Sequence, residues 1–398
     1  MRVLFIHNYY SGRGGEDLVF ETESKLLARN GFTVDTLTFH NARFSLLKFI
    51  FYPFNVLSFF RTLRKLFYFK PDVVHIHNWH FNASLSTIIA CKLMRAPIVQ
   101  TMHNYRLICP TGTLFHKKSI YLKSVYAKEW SSPVIDKVYR DSKMQTFWVW
   151  FVATIYRETG IYKWVSRYIV LTPAAKEMFM QTHFRNLEER FIIKANFLEE
   201  TQHDPRKRKP YFLFVGRLTY DKGITVLLEA FKNSPYQLKI VGSGPLKEKV
   251  TRAAETNKNI EYLGFQKFDV IGALMKECSA MIFPSISYEG MPMTILEAYS
   301  CGTPIIASKF SAMETMVEDG KTGLHFEKGN AEDLRGKVAL FSSLGAAAEK
   351  YYENARAEFQ TKYTPKINLQ KLESIYADAT ASAKRSNLEL SYQENGKS

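Results

Sequence analysis

The chain's 398 residues exceed one ordinary core at about 100–200 residues per domain, so two domains are expected. With 46% hydrophobic and 23% charged residues, the composition excludes a disordered chain and a polytopic membrane protein. The formal net charge of +16 bears on partners and not on fold: nucleic acid, anionic lipid and phosphorylated small molecules would all be attracted.

The first apolar run, Val3–Ile6, is too short for a signal-peptide core and has the length of a buried strand. Val34–Leu37, Val73–Ile76, Ile98–Thr101 and Tyr168–Leu171 read as further strands, with helical stretches such as Glu16–Arg29 and Ser84–Met94 between them. The polar, basic, proline-flanked segment 201–210 reads as a linker. Beyond it, Tyr211–Val215, Leu238–Val241, Ile260–Leu263, Met281–Phe283 and Ile305–Ala307 repeat the theme, separated by helices such as Ile224–Phe231 and Leu246–Glu255. A helical pattern from Ile367 to Ala383 follows Pro365, and a polar tail ends the chain. Runs apolar on both faces imply parallel strands covered by helices. The expected fold is therefore α/β: two doubly wound Rossmann-like domains, 1–200 and 211–364, joined by the linker, with a helix at 365–385 and a tail at 386–398. No stretch reaches the roughly 18 apolar residues needed to span a bilayer. Cys91, Cys109, Cys278 and Cys301 form no CxxC pair, which disfavours a zinc ribbon and fits reduced thiols in a cytosolic setting.

Chemistry concentrates in a few loops. His7-Asn-Tyr-Tyr-Ser-Gly-Arg-Gly-Gly-Glu16 follows the first strand, and its glycines let backbone approach a ligand closely. Their spacing is wrong for a dinucleotide fingerprint. His75, His77 and His80 hint at metal, but no acidic or Cys ligand accompanies them in sequence. They read as a loop edge, with His77 and Asn78 near an acceptor. His103 lies just past a strand end. In Phe214-Val-Gly-Arg-Leu-Thr-Tyr-Asp-Lys-Gly-Ile224, Arg217 and Lys222 occupy a strand-to-helix loop at the carboxyl edge of a parallel sheet, where α/β folds bind ligands. One fork and one point charge on a turn suit a diphosphate, although an isolated pair of this kind is more often a solvated basic turn. In Glu289-Gly-Met-Pro-Met-Thr-Ile-Leu-Glu297, Gly290 and Pro292 suit a tight turn before a helix. The first N–H groups, near Met293 and Thr294, would face an anion. Glu297 lies on an otherwise apolar or small helix and needs a partner, for which ribose hydroxyls would serve, as sugar hydroxyls would for Glu289. The loop around Phe265 is expected at a base. No Asp-x-Asp metal motif is present, so donor binding without a metal is expected, fixed cations and a helix N-terminus taking its place.

Gly216-Arg217-x4-Lys222-Gly223 followed by Glu289-x7-Glu297 resembles the retaining GT-B glycosyltransferases of family 4 (glycosyl transferases group 1). Val241-Gly-Ser-Gly-Pro245, Leu263-Gly-Phe265 and Glu318-Asp-Gly-Lys-Thr-Gly-Leu324 agree, and the likeness covers nearly all of residues 1–385. The resemblance implies two domains facing a cleft, with the last helix crossing back to the N-terminal one. It implies a nucleoside diphosphate sugar as donor, no cofactor, and a glycan or polyprenyl-linked acceptor in bacterial surface polysaccharide synthesis. It puts Arg217 and Lys222 on the diphosphate, Glu297 on the ribose, and Glu289 and His103 on the transferred sugar. Gly14 and Gly15 would cover the donor phosphates and sugar. Two rival readings are a non-catalytic scaffold of an assembly complex and a sugar-nucleotide epimerase.

Residues 41–70 carry Arg43, Lys48, Arg61, Arg64, Lys65 and Lys70 with no acid, around the aromatic stretch Phe49–Phe60. Such a segment suits an anionic membrane surface, so a peripheral location on the cytoplasmic face of the plasma membrane is expected. Phe147–Val152 suits either membrane or core. No nucleic-acid motif is present, and no nucleic-acid partner is expected.

Overall fold

The computed structural model describes residues 1–10, 12, 14–41, 52–126, 131–199 and 208–395. Most of the expected linker (201–207), residues 42–51 of the basic aromatic segment, and 127–130 lie outside the described residues.

The chain divides into two compact units: residues 1–114, 121–194 and 368–398, and residues 115–120 with 195–367. In the first, β1 (Arg2–Tyr9), β2 (Thr33–His40), β3 (Val73–Ile76), β4 (Ile98–Met102), β7 (Arg167–Val170) and β8 (Phe191–Ile193) form one sheet in the order β2-β1-β3-β4-β7-β8. Every neighbouring pair is parallel. In the second, β9 (Lys209–Val215), β10 (Gln237–Val241), β11 (Ile260–Gly264), β12 (Cys278–Phe283), β13 (Ile305–Ser308) and β14 (Gly323–Phe326) form the order β11-β10-β9-β12-β13-β14, again all parallel. This is the doubly wound α/β architecture. The central strands β3 and β4 are buried at every position, their polar His75, Gln100 and Thr101 included.

The helix Pro365–Asn395 belongs, from Asn368 on, to the first unit. Its Leu372, Ile375, Tyr376 and Ala379 recur at helical spacing and pack with Val3, Phe5, Val73, Val99 and Ile169. Burial of each large side chain in that row contributes about 1.5–3 kcal/mol. The helix runs past the expected end at 385, because Leu, Glu and Gln in 388–394 are good helix formers despite the polarity of the stretch. A second departure is the short antiparallel hairpin β5 (Phe115–His116) and β6 (Ser119–Ile120), which belongs to the second unit. The helix Lys143–Glu158 buries Val149, Trp150 and Val152 and leaves Phe151 38% exposed, so the 147–152 stretch is mainly core. No described helix is long and apolar enough to cross a membrane.

Candidate functional site

In the second unit the site is built where β9 and β12 end side by side. Past β9, Leu218 donates its N–H to Ser243 O, and Gly223 donates to Tyr220 O, which closes the turn carrying Lys222. Past β12, Ser285 Oγ and Ile286 N–H both donate to Asp221 O, at 3.0 and 2.9 Å. The two loops are thus tied at Asp221, one residue from Lys222. Gly223 makes this possible. Its φ is +71°, and a Cβ there would stand 1.8 Å from Pro284 O.

The consequence is a direct ion pair: Lys222 Nζ lies 2.6 Å from Glu289 Oε1, with side chains 18% and 13% exposed. Ser285 Oγ donates to the same oxygen at 2.7 Å. The sequence sends these two residues to different parts of a ligand, and the fold brings them together. Arg217 is exposed and pairs with no acid among the described residues. The helix Met293–Ser300 starts at Pro292 with no side-chain cap, so its first N–H groups, including those of Met293 and Thr294, have no side-chain acceptor. One turn on, Glu297 has no hydrogen-bond partner for its carboxyl among the described residues, and burial raises that carboxyl above the usual range. Gly290 is half-buried in the same loop, and Phe265 stands 82% exposed after β11. One cation without an acid, a second paired to Glu289, open amides and a carboxyl without a partner suit an anionic ligand that also carries hydroxyls.

In the first unit, Gly14 is the N-cap of the helix Gly15–Arg29. Its N–H donates to Asp17 Oδ2 at 2.8 Å, and Asp17 Oδ1 lies 2.7 Å from His7 Nε2. The glycine loop is therefore anchored to β1. Beside it is Glu16, whose carboxyl burial pushes up to about 7 against the pull of Arg106. Asn78 donates to it at 3.1 Å. Nothing in the sequence singles out Glu16 except its place directly after Gly14-Gly15.

His77 and Asn78 lie in the loop just past β3 and are buried there. The sequence places no acid near these histidines, yet Glu23 from the first helix joins them. Ligand-type atoms of Glu23, His75 and His77 lie within 4.8 Å of one another. They do not suit an ion. Lys194 forms a buried ion pair with Glu23, and both His75 nitrogens are engaged, by Tyr376 OH at 2.7 Å and Thr101 Oγ1 at 2.8 Å. The cluster instead reaches His103 through His77. Burial, with His75, His103 and His7 nearby, holds His77 well below its usual pKa and uncharged. Its Nε2 lies 3.4 Å from Glu23 Oε2 without a hydrogen bond between them. His103 Nε2 and His77 Nδ1 share a hydrogen bond at 3.0 Å. Burial, with His7 and Lys194 nearby, pulls His103 down to about 3, so it too is uncharged.

Comparison with known proteins gives a consistent result. Residues 197–358 match the family model described as glycosyl transferases group 1, and residues 13–188 match that of glycosyltransferase family 4. The D-rhamnosyltransferase WbpZ of Pseudomonas aeruginosa is 30% identical over 42% of this chain and 45% of its own length. O-antigen chain mannosyltransferase C of Escherichia coli is 27% identical over 39% of this chain and 43% of its own length. The chain thus spans about half the length of these curated relatives. Among solved structures, Anabaena HepE in complex with UDP superposes with a TM-score of 0.64 at 17% identity, covering 95% of this chain and 100% of that one. At that identity the likeness is one of fold.

Proposed function

The chain belongs to the group 1 and family 4 glycosyltransferases, whose models match it over most of its length, and we propose that it transfers a hexosyl unit from a nucleoside diphosphate sugar with retention of anomeric configuration. The observation that carries this reading is the Lys222–Glu289 pair at 2.6 Å, next to Arg217 and the uncapped helix Met293–Ser300. The bond from the anomeric carbon to the diphosphate breaks, and a bond to an acceptor hydroxyl oxygen forms. Arg217, Lys222 and the helix N–H groups stabilise the charge that develops on the leaving diphosphate. Glu289 accepts hydrogen bonds from the transferred sugar and Glu297 from the ribose. His103, held neutral, offers Nδ1 to a sugar hydroxyl. Gly14 and Gly15 cover the donor. The departing phosphate takes the acceptor proton on the face it leaves, and no metal is needed. The acceptor is a glycan or a lipid-linked sugar of a bacterial surface polysaccharide, in keeping with the similarity to O-antigen chain mannosyltransferase C.

The test is incubation with UDP-, GDP- and dTDP-sugars and a polyprenyl-linked acceptor, followed by proton NMR of the product. The expected product keeps the donor's anomeric configuration and forms equally in EDTA. An inverted product, or loss of activity in EDTA, overturns the reading. Donor turnover without acceptor would mark an epimerase, and donor binding without turnover a scaffold.

The acceptor proposal extends to a membrane. The helix Val56–Phe69 buries Ser58, Thr62 and Leu66 on one face. On the other it exposes Leu57, Phe60, Phe67 and Tyr68, each by more than half. Arg64 and Lys70 stand among these residues, and Lys65 is steadied by Asp35 at 2.6 Å. Aromatic side chains flanked by cations suit an anionic leaflet. Flotation with phosphatidylglycerol vesicles is expected to carry the chain at low salt. Leu57→Glu with Phe60→Glu should lower the bound fraction about tenfold or more, since each change puts a charge into the apolar layer. A variant that floats like the parent overturns the assignment of this helix.

A further inference from the structure

The hairpin β5–β6 turns through Lys117 and Lys118. Phe115 pairs with Ile120 and His116 with Ser119, so only two residues form the turn. Both have positive φ, +44° for Lys117 and +65° for Lys118. Two-residue hairpins of this kind take Asn-Gly or Asp-Gly, because residues with long side chains on a Cβ are strained there. Two lysines are a poor choice for folding alone. Strain of this kind points to a use for the side chains it displays.

The base of the hairpin is firmly built. Thr111 Oγ1 accepts from the N–H groups of Thr113 and Leu114, at 3.2 and 2.9 Å. Tyr121 N–H donates to Leu114 O at 2.8 Å. The tip is not paired off: neither Lys117 nor Lys118 forms an ion pair among the described residues. Lys118 Nζ lies 4.3 Å from the centre of the Tyr220 ring. Tyr220 is three residues past Arg217 and two before Lys222, and its carbonyl accepts from Gly223 N–H at the turn that carries Lys222. A cation on an aromatic face is held loosely enough to move to a stronger anion.

We infer that Lys118 is a third cation for the diphosphate of the donor, delivered by the hairpin to the loop of Arg217 and Lys222 and resting on Tyr220 when no donor is bound. This rests on the donor site proposed above. The lysine at the neighbouring turn position adds to the local positive field. The turn's strain is then the cost of placing two ammonium groups at the tip, where Asn-Gly would fold better and bind worse.

The experiment uses the full chain and free UDP and GDP, with affinity read by calorimetry at low and moderate salt and stability by thermal melting. In the double variant Lys117→Asn with Lys118→Gly the melting temperature is expected to hold or rise. Affinity for the preferred diphosphate is expected to fall about three- to tenfold, the size of one or two surface charge contacts, with a weaker salt dependence. Lys118→Met should fall by a similar factor, whereas Lys118→Arg should stay within about twofold because it keeps the charge. Unchanged affinity in the double variant and in Lys118→Met overturns the proposal. Arg217→Ala separates this from failure of the donor site. If Arg217→Ala weakens binding and the hairpin variants do not, only the hairpin proposal falls. If Arg217→Ala changes nothing, or the parent binds neither diphosphate, the donor site falls and the hairpin proposal with it.

Discussion

Lys222→Ala lowers sugar transfer about 10²- to 10³-fold, the usual effect of removing one fixed donor from a developing negative charge. The same change weakens binding of the free nucleoside diphosphate, since an ammonium within 2.6 Å of Glu289 is the most enclosed cation of the loop. Glu289→Ala also lowers transfer by a comparable factor, but its effect on nucleotide binding has the opposite sign or none. Without Glu289, Lys222 loses its internal carboxylate and is free for the phosphate, while Ser285 loses the acceptor at 2.7 Å. Steady-state kinetics together with calorimetry on UDP or GDP therefore separate the two residues. Near-normal turnover in either variant sinks the site assignment. Equal losses of nucleotide affinity in both would sink the division of roles.

Gly223→Ala is the substitution with the largest expected structural effect near the site. The new methyl would meet Pro284 O at 1.8 Å and Pro284 C at 2.6 Å, and both are backbone atoms that cannot rotate away. The positive φ adds about 1–2 kcal/mol for a residue with a Cβ. Relief requires the β9 loop to move off the end of β12, which breaks the contacts of Ser285 and Ile286 with Asp221 O. The expected loss is about 3 kcal/mol or more by urea denaturation, with transfer activity abolished as Lys222 leaves Glu289. Gly272→Ala is the matched control. Gly272 sits inside the helix Phe268–Glu277 with nothing within 4 Å of the place a methyl would take, and alanine there should stabilise by about 0.5–1 kcal/mol. A Gly223→Ala protein with parental stability and activity would show that the loops do not need their close approach.

Much of the frame is legible from the residues in order. Apolar runs such as Val73–Ile76 and Ile98–Thr101 carry their burial in their composition, and both are strands of a parallel sheet. The run Leu372, Ile375, Tyr376 and Ala379 announces one buried helical face, and that face is buried. Glycines and charged residues placed just after β1, β9 and β12 mark the ligand-binding edge of such sheets, because loops at strand ends escape the demands of core packing.

Partnership is not legible. Lys222 and Glu289 are 67 residues apart, and Lys194 and Glu23 are 171 apart. Nothing local in either segment names its mate, and the row of Glu23, His77 and His103 depends on three separate elements meeting. The hairpin at Lys117 and Lys118 is hidden for a different reason. It lacks the Gly or Asn that usually signals a tight turn, so its strained backbone is set by the structure around it. The sequence by itself determined the α/β class, the strands and the loops that carry charge, since these follow from periodicity and local sterics. Only the tertiary structure decided which charge faces which, because an ion pair is selected by the distance between loop ends, and that distance is a property of strand order rather than of any stretch of chain.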